Sequence, residues 1–193
     1  WPTFPDLKQL IVEAHLGRLP VEALQAEFKA QFAAYEAGRG RAPHHVDGHQ
    51  HVHHLPQVRE LLLAALAPRG DIRVRSTGSL PGPGFLIKRL LIEGTGGRAL
   101  SRQLLQLRRQ ANTQLLGVYD FLQPDYRGLM QRWLGAMADS GALVFCHPGS
   151  AVLPAETAAA PPDPIAPARV RELAYLAGDA FQADLDAVGA RLA

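Results

Sequence analysis

Apolar residues recur at helical spacing over most of this chain, and the points where the spacing changes predict its elements. Residues 5–17 predict a short helix. Residues 20–37 predict a longer one, with Pro20 at its first position, Val21, Leu24, Phe28, Phe32 and Tyr35 on one stripe, and Gly38 as its stop. The aromatics of that stripe are expected in the core. Between Pro43 and Pro56 the period shortens to an apolar and polar alternation, which predicts an extended segment ending in a loop. Pro56 opens a further helix that turns Val58, Leu61, Leu62, Ala65 and Leu66 inward and closes near residues 68–70, and residues 72–74 predict a strand. Residues 76–84 are rich in turn formers, 85–109 are mostly helical but interrupted by Gly94, Gly96 and Gly97, and 110–124 predict a loop or short strand.

The second half continues the pattern. A strongly amphipathic helix is predicted over 125–138, with Tyr126, Leu129, Met130, Trp133, Leu134 and Met137 on its buried side. Gly141 stops it, and 142–145 predict a buried strand. Residues 149–164, rich in alanine and proline, predict a long loop, either a lid over a site or a disordered segment. Helices over 166–177 and 179–187 close the chain. Helices alternating with short strands are the grammar of a parallel α/β sheet or barrel.

Bulk properties narrow the function classes. At 193 residues the chain suffices for one domain, or for part of a larger barrel. Its net charge of +2 comes from basic residues scattered among acidic ones, so the sequence carries no nucleic-acid surface and no polybasic membrane patch. No run is long and apolar enough for a transmembrane segment, and no signal peptide opens the chain. The single cysteine, Cys146, excludes an internal disulfide and is compatible with a cytoplasmic setting. The start at Trp1 suggests a chain cut from something longer. A homo-oligomer is left open.

Chemistry concentrates in one place. Of the 8 histidines, His44, His45, His49, His51, His53 and His54 lie between Pro43 and Pro56, together with Asp47. A cluster this dense points to a metal or catalytic site, because imidazole is a common ligand for divalent metals and titrates near neutrality. In an extended segment His49, His51 and His53 would face one side and His54 the other, so at most two or three could reach one ion. The rest are packing or surface groups. A second histidine, His147, follows the predicted strand 142–145. In parallel α/β folds chemistry collects where strands run out into loops, and both His49 and His147 sit at such ends. The alternative for His147 is a backbone cap beside Pro148. Cys146 reads as a small buried residue, not a nucleophile.

Val-Asp-Gly-His-Gln-His-Val-His-His-Leu-Pro at 46–56, Ile-Arg-Val-Arg at 72–75 and Cys-His-Pro at 146–148 together resemble the YdjC-like carbohydrate deacetylases, a group that includes chitooligosaccharide deacetylase and hopanoid-associated deacetylases. The likeness runs from Pro20 to the carboxyl end. It implies a (β/α) barrel-like deacetylase fold and a metal-dependent hydrolase, using magnesium or zinc, that removes the acetyl group from an N-acetylated sugar or glycolipid. By the same resemblance His49 matches a metal ligand, and Asp47 matches the aspartate that orients it or lines the site. His147 matches a general acid, catalytic together with Asp47. Arg73 matches an arginine near the site and is grouped with His51 and His53 as substrate-binding.

The sequence departs from the family in lacking the Ala-Asp-Asp-Phe-Gly motif of its amino-terminal strand and a later segment with another ligating histidine. The chain therefore looks like the carboxyl-terminal portion of such a barrel, without its first strands, and is expected to be inactive alone. Amide hydrolysis needs a base as well as an acid and a metal, and no convincing base is present. Two rival readings follow from the residues. One is an amidohydrolase-like metal hydrolase, on the Asp-Gly-His-Gln-His run. The other is a non-catalytic remnant that binds metal or sugar.

Overall fold

The computed structural model describes residues 5–138, 141–150 and 163–192, which form two compact units. The first comprises the chain up to Leu80 and Leu90–Gln114. The second comprises Pro81–Arg89 and the chain from Leu115 onward.

In the first unit, helix α1 (Leu7–His15) starts where the Asp6 carboxylate accepts from the Gln9 N–H at 2.8 Å, the usual way to satisfy a free amide at a helix start. Helix α2 (Val21–Arg39) runs through Gly38 and ends at Gly40, whose left-handed backbone lets its N–H reach the Glu36 carbonyl. The stop is therefore two residues later than the sequence suggests, since glycine ends a helix only where the chain turns left-handed. Phe32 is buried, whereas Tyr35 is 37% exposed and is not core. Helix α3 (Val58–Leu66) and helix α5 (Arg98–Gln106) complete the packing: Phe32, Leu62, Leu66, Leu100 and Leu104 enclose Ile72 and Val74.

Strand β1 (His45–Val46) pairs in parallel with β2 (Arg73–Val74), in register His45 to Arg73 and Val46 to Val74, and Ala111 bridges Val74 in parallel on the other side. Successive side chains alternate across a strand, so Val46 and Val74 face the helices while His45 and Arg73 stand exposed on the opposite face. The extended segment expected over 43–56 is cut short at Val46. From His49 to His54 the chain makes tight 3-10 turns, with Gln50 and His51 at φ of 51° and 65°. The side-by-side alternation of His49, His51 and His53 therefore does not form. Helix α4 (Leu86–Ile92) passes through a π turn at Glu93–Gly97 into α5, at the glycines that interrupt the sequence pattern.

In the second unit, β3 (Gln114–Leu116) pairs with β4 (Ala142–Val144). Helix α6 (Tyr126–Gly135) is capped by the Asp125 carboxylate, which accepts from Gly128 N–H at 2.8 Å. It packs Tyr126, Leu129, Met130, Trp133 and Leu134 with Leu116, Tyr119, Tyr175 and Leu185. Tyr175 and Leu185 come from α7 (Ala166–Leu176) and α8 (Asp179–Ala187), which lie close to the boundaries read from the sequence. Strand β4 is only half-buried, with Leu143 39% exposed. Most of the loop expected over 149–164 lies outside the described residues. The described residues are mixed helix and sheet, an α/β arrangement, with their strands in two two-stranded sheets and no closed barrel. No described helix is long and apolar enough to cross a membrane.

Candidate active site

The sheet of the first unit presents its strand ends together. Backbone hydrogen bonds from Arg73 to His44 (2.9 Å), from Arg75 to Val46 (3.1 Å) and from Val74 to Gln110 (3.0 Å) align the three tracks. The first track then delivers Asp47, Gly48 and His49, the second Arg75, Ser76 and Thr77, and the third Asn112. The Asn112 side chain extends the pairing past the backbone: its Oδ1 accepts from Ser76 N–H at 2.7 Å and its Nδ2 donates to the Ser76 carbonyl at 2.9 Å.

At these ends Arg75 pairs with the Asp47 carboxylate, and its Nη2 also donates to the Gly48 carbonyl at 2.8 Å. The Arg75 side chain is buried and that of Asp47 is 45% exposed, so the carboxylate offsets a charge that would otherwise be costly to bury. Burial holds the Arg75 guanidinium below its ordinary pKa, and Asp47 counters that. The Arg75 carbonyl accepts from His53 Nε2 at 2.8 Å. A carbonyl can only accept, so the His53 proton sits on Nε2.

His54 is similarly fixed. Thr95 Oγ1 donates to the Leu91 carbonyl at 2.8 Å and therefore accepts from His54 Nε2 at 3.1 Å, which leaves His54 Nδ1 to accept from Thr77 Oγ1 at 2.7 Å. Both rings are neutral. Desolvation, the largest cause in each case, pulls His53 down to about 4 and His54 to about 3, with the Arg75 charge adding to both. Glycines make the close packing possible. A Cβ on Gly48 would lie 2.6 Å from His53 Nδ1, one on Gly96 would overlap the His54 carbonyl, and one on Gly97 would overlap the Thr77 carbonyl.

The residues singled out by sequence thus have different settings. His53 is buried and engaged by backbone; His51 is half-buried, its ring stacked on that of His54 at 6.2 Å; His49 is exposed at the start of the turn. Arg73 points away from Asp47, donates from Nε to Gln110 Oε1 at 3.0 Å, and lines an open cavity of about 590 Å³ with Pro43, His44, His45 and Asp71. The arginine that meets Asp47 is Arg75, which sequence reasoning passed over; the Arg-x-Arg spacing at the strand end was its signal. Among the described residues no group of three or more His, Cys, Asp or Glu is arranged to hold a metal ion. Asp47 is already engaged by Arg75, so these side chains do not fit a complete metal site.

In the second unit β4 runs out into Phe145, Cys146 and His147. The His147 backbone N–H donates to Glu172 of α7, whose other oxygen accepts from the Tyr119 hydroxyl at 2.5 Å. Glu172 is fully buried, and its Oε1 lies 3.9 Å from His147 Nδ1. Phe121 and Phe145 meet the imidazole edge-on at 5.1 and 5.2 Å. Arg169 donates to the His147 carbonyl at 3.3 Å and pairs with Asp163 at 2.5 Å. Cys146 is exposed, contrary to the expectation of a buried residue, because it follows the strand instead of lying within it. Partial desolvation of its thiol and the Glu172 charge push its pKa up, which keeps it a thiol. Nothing in the sequence marked Glu172, one acidic residue in an ordinary amphipathic helix.

The YdjC-like protein family matches residues 3–187. The chain is 43% identical over 56 residues to a carbohydrate deacetylase of Danio rerio, a match spanning 29% of this chain and 18% of that protein. It is 44% identical over 55 residues to a chitooligosaccharide deacetylase of Yersinia enterocolitica, spanning 28% of this chain and 22% of the relative. A chitooligosaccharide deacetylase of Yersinia pestis is 40% identical over 57 residues, spanning 30% and 22%. The matched stretch thus spans about a fifth of the length of these curated relatives. No solved structure matches the chain.

Proposed function

Because the chain belongs to the YdjC-like protein family, we propose that it serves in the hydrolytic removal of acetyl groups from N-acetylated carbohydrates, as free sugars or glycolipids. The observation that carries this reading is the placing of Asp47, Gly48 and His49 directly after a parallel strand, in a chain whose named relatives are carbohydrate deacetylases. In this reaction water adds its oxygen to the acetyl carbon and gives up both its protons to solvent, the carbon–nitrogen bond breaks, and acetate and a free amine leave. The family resemblance gives His147 the part of proton donor to the departing nitrogen; within the first unit, Arg75 holds Asp47 at the strand end next to His49. The proposal includes a divalent metal ion, magnesium or zinc, with His49 as one ligand; the described residues do not by themselves complete its ligand set. Arg73, His51 and His53 are proposed on the substrate side, His53 acting through the Arg75 carbonyl that it holds. We place this chemistry in the cytoplasm, in keeping with a chain of one cysteine.

The test is acetate release from N-acetylglucosamine oligomers with added magnesium or zinc, by the 193-residue chain and by a form extended upstream through an Asp-Asp-Phe-Gly strand. Release by the extended form alone, lost in His49→Ala, is the expected outcome. No release by either form with either metal would overturn the reading for these substrates.

A further inference from the structure

The second unit contains a buried carboxylate that sequence reasoning did not use. Glu172 is wholly enclosed, yet both of its oxygens are occupied: one accepts from the Tyr119 hydroxyl and the other from the His147 backbone N–H. Two donors to one enclosed carboxyl group favour its charged form, because a carboxylate accepts only. An enclosed negative charge calls for a positive partner. Among the described residues, the His147 imidazole can become one, with Nδ1 3.9 Å from Glu172 Oε1.

The other charged groups near the imidazole are each already engaged. Arg169, on the same helix as Glu172, is paired with Asp163 at 2.5 Å and gives one N–H to the His147 carbonyl. Lys88 lies 4.9 Å from the Phe121 ring centre and donates to the Tyr119 carbonyl at 2.6 Å. The Cys146 thiol is held neutral by its surroundings. The rings of Phe121 and Phe145 pack at steep angles to the imidazole, 87° and 76°, and restrict its plane.

We propose that Glu172 is the positioning residue of His147: it anchors the residue by its backbone, faces Nδ1, and keeps the imidazole protonated so that Nε2 on the far edge of the ring can give up a proton. The carboxylate touches no substrate. It acts through the histidine, as a carboxylate behind an imidazole does wherever the tautomer and charge of the ring must be set. In the reaction, the proton moves from His147 Nε2 to the amine nitrogen as its bond to the acetyl carbon breaks, leaving a neutral imidazole that regains a proton from water. That last role rests on the deacetylase reading; the pairing of Glu172 with His147 does not.

The deciding experiment is a proton and nitrogen NMR titration of the His147 imidazole in the 193-residue chain, in Glu172→Gln and in Glu172→Asp. The wild-type midpoint is expected about one unit or more above the ordinary imidazole value of about 6.5, a tenfold tighter proton. Glu172→Gln should abolish that difference and Glu172→Asp should restore part of it. A wild-type midpoint at or below the ordinary imidazole value of about 6.5 overturns the proposal even if Glu172→Gln does not fold, and so does a midpoint that Glu172→Gln leaves in place. Acetate release is read separately, in the upstream-extended form. Its absence there in the presence of a raised midpoint would remove the deacetylase reading and leave the pairing standing, whereas release with no raised midpoint would remove the pairing alone.

Discussion

Acidification is expected to loosen the first unit through His53 and His54. Both are neutral when folded, with pKa values lowered to about 4 and about 3, against 6.5 for a free imidazole. Below pH 6.5 the unfolded chain therefore binds protons that the folded chain refuses. Stability is full above that value and is lost as pH falls toward the folded values. Each histidine contributes about 1.4 kcal/mol per pH unit in this window. Between pH 7.5 and 5.0 the two together should cost about 4 kcal/mol, a large part of the roughly 5–15 kcal/mol that holds a domain together. Hydrogen exchange at the buried Leu62 and Leu66 amides of α3, corrected for the intrinsic pH dependence of exchange, reads this directly. Protection should fall by about three decades over that range. His54→Gln keeps an acceptor for Thr77 and a donor for Thr95 but cannot take up a proton, so it should remove about half of the loss. Protection that stays within a factor of ten from pH 7.5 to 5.0 would refute the assignment of neutral, desolvated rings.

Two other outcomes follow from packing and charge. Gly96→Ala places a Cβ against the His54 carbonyl at a φ of +155° and should destabilise the first unit by about 3 kcal/mol or more, seen as lost protection in α3; unchanged protection would contradict the contact. Asp184 receives Arg127 at 2.9 and 3.0 Å, Gln131 at 3.0 Å and Tyr175 at 3.0 Å, and the Arg127 bonds above all hold its carboxyl down at about 2. Its contribution is present above pH 4 and lost as pH falls from the ordinary value of 3.8 toward 2, so Asp184→Asn should flatten the acid limb of Trp133 fluorescence in that window.

The helices were legible in the sequence because apolar stripes repeat at helical spacing and Asp6 and Asp125 cap two of them; the stop of α2 was not, since Gly38 and Gly40 read alike and only the second turns left-handed. The histidine segment was not, although its alternation is real. A strand pattern predicts a strand only if the backbone stays extended, and Gly48 permits a return so close that the chain coils onto His53 instead. The same limit applies to arginines. Arg73 and Arg75 share a spacing, but only the second lies beyond the strand end where a side chain can turn toward Asp47. Glu172 was hidden for a different reason: its role depends on Tyr119 and His147, 53 and 25 residues away, and no local pattern encodes partners so distant.

The turn at Glu93–Gly97 works as a break between two helical tracks. Gly96, at a φ of +155°, stands outside helical geometry, so the track that ends before it and the one that starts after it need not share a direction. Gly96 and Gly97 must seat against His54 and Thr77, while Leu100 and Leu104, a few residues on, must reach the core. A regular helix would tie those two directions together. With the break at Gly96 the glycine seat and the leucine stripe are aimed independently.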